Sequence, residues 1–333
     1  MPDPARPPLP ARAPSVVRAS LVVRAPLVVR DWRVVPPEAR GAAVALGNFD
    51  GVHLGHRAVL AAAHAARPDA PLAVLSFEPH PRQLFRPDDP PFRLMTAGER
   101  AAALGECGVS VLFEMPFDHD FSWLEAEAFV ADVLCAGIGA AHLACGPDFA
   151  FGHRRGGDTA LLARRAEAAG VGLTLVPPLT DAAGPISSTR IRRDLQDGYP
   201  ARAAAGLGRP WEIGGVVEHG DARGRTIGFP TANVALGEHI EPARGVYAVT
   251  VRLPDGRAVP GVANIGRRPT VASGTQSRVE AHLFDFAEDL YGRFVSVALH
   301  AFLRDERRFD GLDALKAQIA ADAAQARAAL GAG

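Results

Sequence analysis

Between residues 42 and 176 short apolar runs alternate with stretches of helical length, and from Gly208 onward they do not; nothing else in the chain narrows its fold as much. Strands are expected at 42–46, 72–77, 109–113, 141–145 and 171–176, with helices at about 56–66, 97–107, 123–134 and 158–169. Thr96 and Glu99 form a capping box for the second of these helices. This order predicts an α/β domain with a mostly parallel sheet, helices on both faces and ligands at the carboxyl ends of the strands. Past a break at Asp197 to Pro200 and a short alanine-rich piece, β-branched runs at 214–217, 246–252 and 295–302 follow one another with glycine and proline between them. Strands so spaced predict an antiparallel β-barrel, closed by a helix at 312–330. A chain of 333 residues exceeds one typical core. The expected division is a disordered extension at 1–30, the α/β domain at 31–195, a linker at 196–208 and the barrel with its terminal helix at 209–333.

Apolar residues make up 48% of the chain, enough for both cores, and the formal charge of −1 gives no overall case for nucleic acid or an anionic membrane. Cys107, Cys135 and Cys145 lie far apart in apolar segments without zinc spacing, which points to buried thiols in a reducing compartment. No run of about 18 apolar residues occurs, so no membrane span is expected. Near the start, a repeated Val-Val-Arg interrupts every apolar stretch before it reaches signal-peptide length. The expectation is a cytoplasmic protein acting on small molecules, a monomer or weak homo-oligomer, whose residues up to about 29 are dispensable.

The run from Gly47 to His56 reads Gly-Asn-Phe-Asp-Gly-Val-His-Leu-Gly-His and follows the first strand directly. Gly47 and Gly51 permit a turn with unusual backbone angles, and a helix begins near Gly55. His53 and His56 lean over one spot beside free backbone N–H groups and the positive end of the dipole, where a phosphate is stabilised. Taken alone, the pair is better explained as capping an ordinary strand–helix unit. Two more segments follow strands. Gly146 to His153, with Asp148, Phe149 and Phe151 inside it and Arg154, Arg155, Gly156 and Gly157 beyond it, reads by itself as a packed turn. Ile186 to Arg192 reads as a helix N-cap, whose hydroxyls, amides and guanidinium groups also suit an anion.

The His53-Leu-Gly-His56 element resembles the nucleotidyltransferase superfamily, and the longer run resembles its flavin-adenylating branch. The Ile-Ser-Ser-Thr-x-x-Arg signature of that branch matches residues 186–192. The resemblance implies a Rossmann-like adenylyltransferase domain in which Gly47, Asn48, Phe49, Asp50, His53, His56, Ser188, Thr189, Arg190 and Arg192 contact ATP. It also implies that Asp148, Phe149 and Phe151 contact the flavin, although the family varies at the position of Asp148. A phosphate oxygen of flavin mononucleotide (FMN) would attack the α-phosphorus of ATP, releasing pyrophosphate and giving flavin adenine dinucleotide (FAD). Such transfer needs in-line positioning and charge neutralisation, for which His53 and His56 are the catalytic candidates.

In the second half, Gly220, Gly224 and Gly228 allow backbone amides to wrap phosphates, and Arg223 and Arg225 add charge. Glycine spacing alone would describe a hairpin loop equally well. Gly228-Phe-Pro-Thr-Ala-Asn233 resembles the riboflavin kinase signature, which implies that Thr231 and Asn233 hold the Mg²⁺ of bound ATP; hard oxygen ligands suit that ion. The run at 261–270 resembles the family's flavin-side loop and implies contacts from Asn264, Gly266, Arg268 and Thr270. Glu280 matches the family's base, which takes the 5′-hydroxyl proton of riboflavin as that oxygen attacks the γ-phosphorus of ATP. Five motifs in order thus resemble the bacterial bifunctional riboflavin kinase and FMN adenylyltransferase family, with ATP, riboflavin, FMN and FAD as substrates and products.

Two rivals fail on composition. Aminoacyl-tRNA synthetases share His-x-Gly-His but carry a lysine-rich second signature, and the only lysine here is Lys316 in the terminal helix. A nucleic-acid-binding barrel uses interleaved basic and aromatic residues, which the second half lacks.

Overall fold

The structure, a computed structural model, describes residues 25–219, 229–270 and 274–331. In the first half β1 (Leu27–Val29), β2 (Ala43–Leu46), β3 (Leu72–Glu78), β4 (Val111–Pro116), β5 (His142–Cys145) and β6 (Gly172–Leu175) form one parallel sheet, in the order β1-β4-β3-β2-β5-β6. Its helices are α1 (Leu54–Ala66), α2 (Pro81–Phe85), α3 (Ala97–Glu106), α4 (His119–Ser122), α5 (Ala126–Ala128), α6 (Thr159–Ala168), α7 (Ser188–Gln196) and α8 (Pro200–Leu207). A small hairpin of β7 (Thr180–Asp181) and β8 (Gly184–Pro185) precedes α7. Ala43, Val44 and Ala45 in β2 and Ala73, Val74 and Leu75 in β3 are fully buried, which is why these strands are apolar throughout rather than alternating. The chain winds outward from β2 through β3 and β4 on one side, then through β5 and β6 on the other. Loops at the carboxyl ends of β2 and β5 therefore part, leaving a crevice at that switch.

Three expectations differ from the structure. Residues 25–30 are not extension: Leu27, Val28 and Val29 pair in register with Val111, Leu112 and Phe113, and Arg30 meets Glu114 at 2.9 Å. A truncation near Val28 would cut this edge strand; residues 1–24 lie outside the described residues. The expected linker contains α8, whose Ala203 and Leu207 are fully buried and which packs on α7 and on the barrel. The helix expected at 123–134 starts later, at α5, and continues as a π-helical stretch, Phe129–Gly137.

In the second half β9 (Trp211–Val216), β10 (Ala232–Ala235), β11 (Gly245–Arg252), β12 (Ala258–Thr270), β13 (Gly274–Leu283) and β14 (Phe294–Arg304) run antiparallel in the order β10-β13-β12-β11-β14-β9. Glu218 N donates to Asn233 O at 2.9 Å, drawing the two edge strands together into a nearly closed barrel. Val234, Val249, Ile265, Val279 and Leu299 fill it, and the final helix, α9 (Leu312–Leu330), packs outside through Ala326.

The halves meet through buried polar contacts. Trp211 Nε1 donates to Leu94 O at 2.8 Å, and Arg93, 2% exposed, pairs with Glu78 at 2.7 Å and Glu238 at 3.2 Å. Glu99 caps α3, accepts Gly214 N at 2.9 Å and meets His239 Nε2 at 2.7 Å. Burial works against a charged His239, but the hydrogen bond and charge of Glu99 outweigh it and hold its pKa above the ordinary 6.5. The stability this contact adds is complete below 6.5 and is lost as pH rises through the raised value. Thermal unfolding midpoints should accordingly fall as pH climbs from neutral, and His239→Gln should flatten that part of the profile.

Candidate functional site

A cavity of about 950 Å³ opens where the strands of the parallel sheet end, lined by Leu46, Phe77, Phe117, Gly146 and Val176 and by the loops that follow them. The turn after β2 is its most constrained part. Phe49 and Val52 adopt left-handed backbone angles, φ 52 and 43, which are rare for an aromatic or β-branched residue. Their side chains, 1% and 0% exposed, hold the strain in place. Gly51, at φ 90, has no room for more: a Cβ there would lie 2.8 Å from Leu94 Cδ1.

This turn delivers the start of α1 to the cavity. His53 is the N-cap, its Nδ1 accepting His56 N at 3.2 Å, so its proton resides on Nε2. The two imidazoles stack with centroids 3.6 Å apart, and His56 Nδ1 is buried without a hydrogen-bond partner. Burial is the main force lowering His53 to about 4; Asp50 opposes it, and Arg192 and Arg190 add to it. His56 is pushed well below its ordinary value by burial, then by His53 and Arg192. Both rings are therefore neutral at pH 7.

Of the residues expected at ATP, Gly47, Asn48, Phe49, His53, His56, Ser188 and Thr189 line the cavity, as do Asp148, Phe149 and Phe151 on the flavin side. Asp50, Arg190 and Arg192 do not. The Asp50 carboxylate accepts Leu94 N at 3.0 Å and Met95 N at 3.1 Å and pairs with Arg192, whose Nε donates to Phe92 O at 2.7 Å. Arg190 is held by Asp181 at 2.8 and 2.6 Å. Ser188 Oγ donates to Asp50 O at 2.7 Å, which ties α7 to the turn. These groups brace the wall from behind. Asp50→Ala would strand a largely buried guanidinium and two amides, so it should lower unfolding free energy by about 3–5 kcal/mol in a urea titration.

The sequence reading assigned no role to His80 or to Phe77, Phe85, Phe117, Phe121 and Phe129, all of which line the cavity. The available signal was the Glu78-Pro-His-Pro81 loop at a strand's carboxyl end. His80 caps α2 by accepting Arg82 N at 3.1 Å, and burial is the first cause lowering it to about 4.

On the barrel, Asn233, Glu280 and Asn264 stand directly opposite one another across β10, β13 and β12. Their neighbours Val234, Val279, Ala281, Ala263 and Ile265 are buried in the core, so this row faces outward. Asn233, 4% exposed, donates Nδ2 to Thr231 O at 3.3 Å, while its Oδ1 has no hydrogen-bond partner. Asn264 Nδ2 donates to Glu306 Oε1 at 3.2 Å. Gly266 opposes Arg278 two residues along, and the backbone of Arg268 and Thr270 continues β12. Gly220, Arg223, Gly224, Arg225 and Gly228 lie outside the described residues.

A parallel α/β domain with helix starts and aromatic rings around one cavity is thus followed by a barrel carrying an acid–amide row. Family models described as FAD synthetase and riboflavin kinase match residues 35–190 and 207–330. Curated relatives named bifunctional riboflavin kinase/FMN adenylyltransferase include that of Escherichia coli K12, 45% identical over 86% of this chain and 92% of its own. The protein of that name from Pseudomonas fluorescens is 43% identical over 88% and 94%, and that from Bacillus subtilis 37% over 88% and 94%. A solved structure titled macrolide-efflux protein from Streptococcus pneumoniae shares the fold with a TM-score of 0.80 at 34% identity, covering 90% of this chain and 97% of its own. The chain belongs to the bifunctional riboflavin kinase/FMN adenylyltransferase family. No helix among the described residues is long and apolar enough to cross a membrane.

Proposed function

We propose that the barrel makes FMN from riboflavin and ATP, and that the α/β domain makes FAD from FMN and a second ATP. The observation that carries the reading is the make-up of the cavity lining: two neutral, stacked imidazoles with two helix starts, and a bank of phenylalanines in contact with one another. The first group suits a triphosphate and the second a flavin ring. The His53 Nε2–H and the amides of Ser188 and Thr189, which have no acceptor within the helix, would donate to phosphate oxygens and hold the α-phosphorus in line with the attacking FMN oxygen. Asp50, Arg190 and Arg192 act by keeping those donors in position.

In the barrel, Glu280 would take the proton of the riboflavin 5′-hydroxyl while Asn264 orients the flavin. The buried, unpaired Oδ1 of Asn233, with Thr231 beside it, fits Mg²⁺, a hard cation that shares its sphere with phosphates and water. When bound, that ion neutralises charge on the triphosphate. Among the described residues no three His, Cys, Asp or Glu side chains cluster to hold a metal.

The reading takes the protein to be cytoplasmic, monomeric or weakly self-associating, and without a nucleic-acid partner; none of Cys107, Cys135 and Cys145 is in a disulfide among the described residues. One incubation tests it. With riboflavin, ATP and Mg²⁺, chromatography should show FMN first and FAD after it, and a protein that yields neither would overturn the assignment.

A further inference from the structure

Arg154 and Arg155 stand on the cavity wall just past the Phe149–Phe151 loop. Both have left-handed backbone angles, φ 52 and 59, a conformation that L side chains disfavour. The turn that carries them is fixed from several sides. Phe151 and Gly157 exchange backbone hydrogen bonds at 3.0 and 2.9 Å, and Arg155 N donates to Gly152 O at 3.0 Å. His153 stacks on Trp123 with centroids 4.4 Å apart. A Cβ on Gly152 would come within 2.6 Å of the Ala126 backbone, so the turn has no space to shift and relax.

Charge sets these two apart from every other basic group on the wall. His53 and His80 are lowered to about 4 and His56 well below its ordinary value, so all three are neutral at pH 7. Arg82 is paired with Asp89 at 2.8 Å. Arg154 and Arg155 are exposed, and no carboxylate among the described residues is within ion-pair reach of either. They are the lining cations still free to meet an anion, and they are attached to the flavin side of the cavity.

We infer that Arg154 and Arg155 bind the phosphate of the incoming FMN and make the adenylylation site select FMN over riboflavin. The inference rests on the reading of this cavity as the adenylylation site. The isoalloxazine ring is common to both flavins, so the aromatic wall has no means of telling them apart. Only the phosphate differs, and two guanidinium groups carried side by side on a fixed backbone turn recognise it by charge-assisted hydrogen bonds. Selection matters in a chain whose other half consumes riboflavin and releases FMN.

The test uses the full-length protein and the variants Arg154→Gly and Arg155→Gly, because glycine accepts a positive φ without strain and the turn should survive. For each, kcat/KM for FMN in FAD formation should fall on the order of tenfold, the worth of a charge-assisted hydrogen bond. The KM for ATP, the rate of riboflavin phosphorylation and the melting temperature should hold. The inhibition constant of lumiflavin, a flavin ring without the ribityl phosphate, should also hold, and Arg155→Lys should recover part of the loss. Unchanged kcat/KM for FMN would overturn the inference. So would a parallel rise in the lumiflavin constant, which would mean that the arginines only shape the loop, or a rise in KM for ATP alone, which would assign them to the nucleotide. Failure of the parent protein to make FAD from FMN would instead overturn the reading of the cavity.

Discussion

Glu280→Gln should lower riboflavin phosphorylation on the order of a thousandfold, the usual contribution of a general base, and leave FAD formation from added FMN at the parent rate. Glutamine keeps the shape of the side chain and its place opposite Asn233 and Asn264 while removing the ability to accept a proton. The flanking Val279 and Ala281 lie in the barrel core and are unchanged by the substitution. Nucleotide affinity should persist, since Thr231 and Asn233, the residues proposed to hold Mg²⁺, are untouched. Single-turnover formation of FMN measures the effect on chemistry directly. A rate within a few fold of the parent would remove Glu280 from the base role and return it to an outward-facing carboxylate on a strand. The two activities sit on separate elements, so each serves as the folding control for the other.

The fold was legible where one period dominates. The buried runs of β2 and β3 announce a parallel sheet because both faces are covered, and the spacing beyond Gly208 announces a barrel. What escaped has physical causes. β1 is a three-residue edge strand in an arginine-rich stretch, and only its pairing with β4 and the Arg30–Glu114 contact reveal it. α8 reads as filler because its alanines look the same in a linker, until burial against α7 gives them a role. At the site, the motif that holds His53 and His56 was visible, but the separate duties within it were not. Asp50 lies among cavity-lining residues, yet its oxygens are spent on Leu94, Met95 and Arg192, partners 44 to 142 positions away. Arg190 likewise answers to Asp181 in the β7–β8 hairpin, whose two-residue strands are too short to show in a sequence pattern. Local pattern thus finds the wall of a cavity, whereas distinguishing the residues that face the ligand from those that hold them needs the long-range pairs.

The two histidines separate these duties experimentally. His53→Asn preserves the cap, because the Asn side-chain oxygen also accepts His56 N, so α1 should remain in place. His56→Ala removes a ring whose Nδ1 has no protein partner, so no hydrogen bond of the fold is lost with it. In the double variant FAD formation should fall on the order of a thousandfold or more, as expected when transition-state donors are lost, while FMN synthesis in the barrel continues. The pH dependence carries the sharper signature. Without ligand, the fold favours neutral His53, so the stability linked to it is complete above 6.5 and is lost as pH falls toward about 4. A bound triphosphate adds negative charge that opposes the effect of burial and favours imidazolium, so ATP binding at about pH 5, just above the ligand-free value of His53, should draw protons into the protein. Calorimetry in two buffers of different ionisation enthalpy should register that uptake in the parent and lose it in the double variant. Equal uptake in both proteins, or near-parent FAD synthesis without the imidazoles, would mean that the phosphates rest on the helix amides alone.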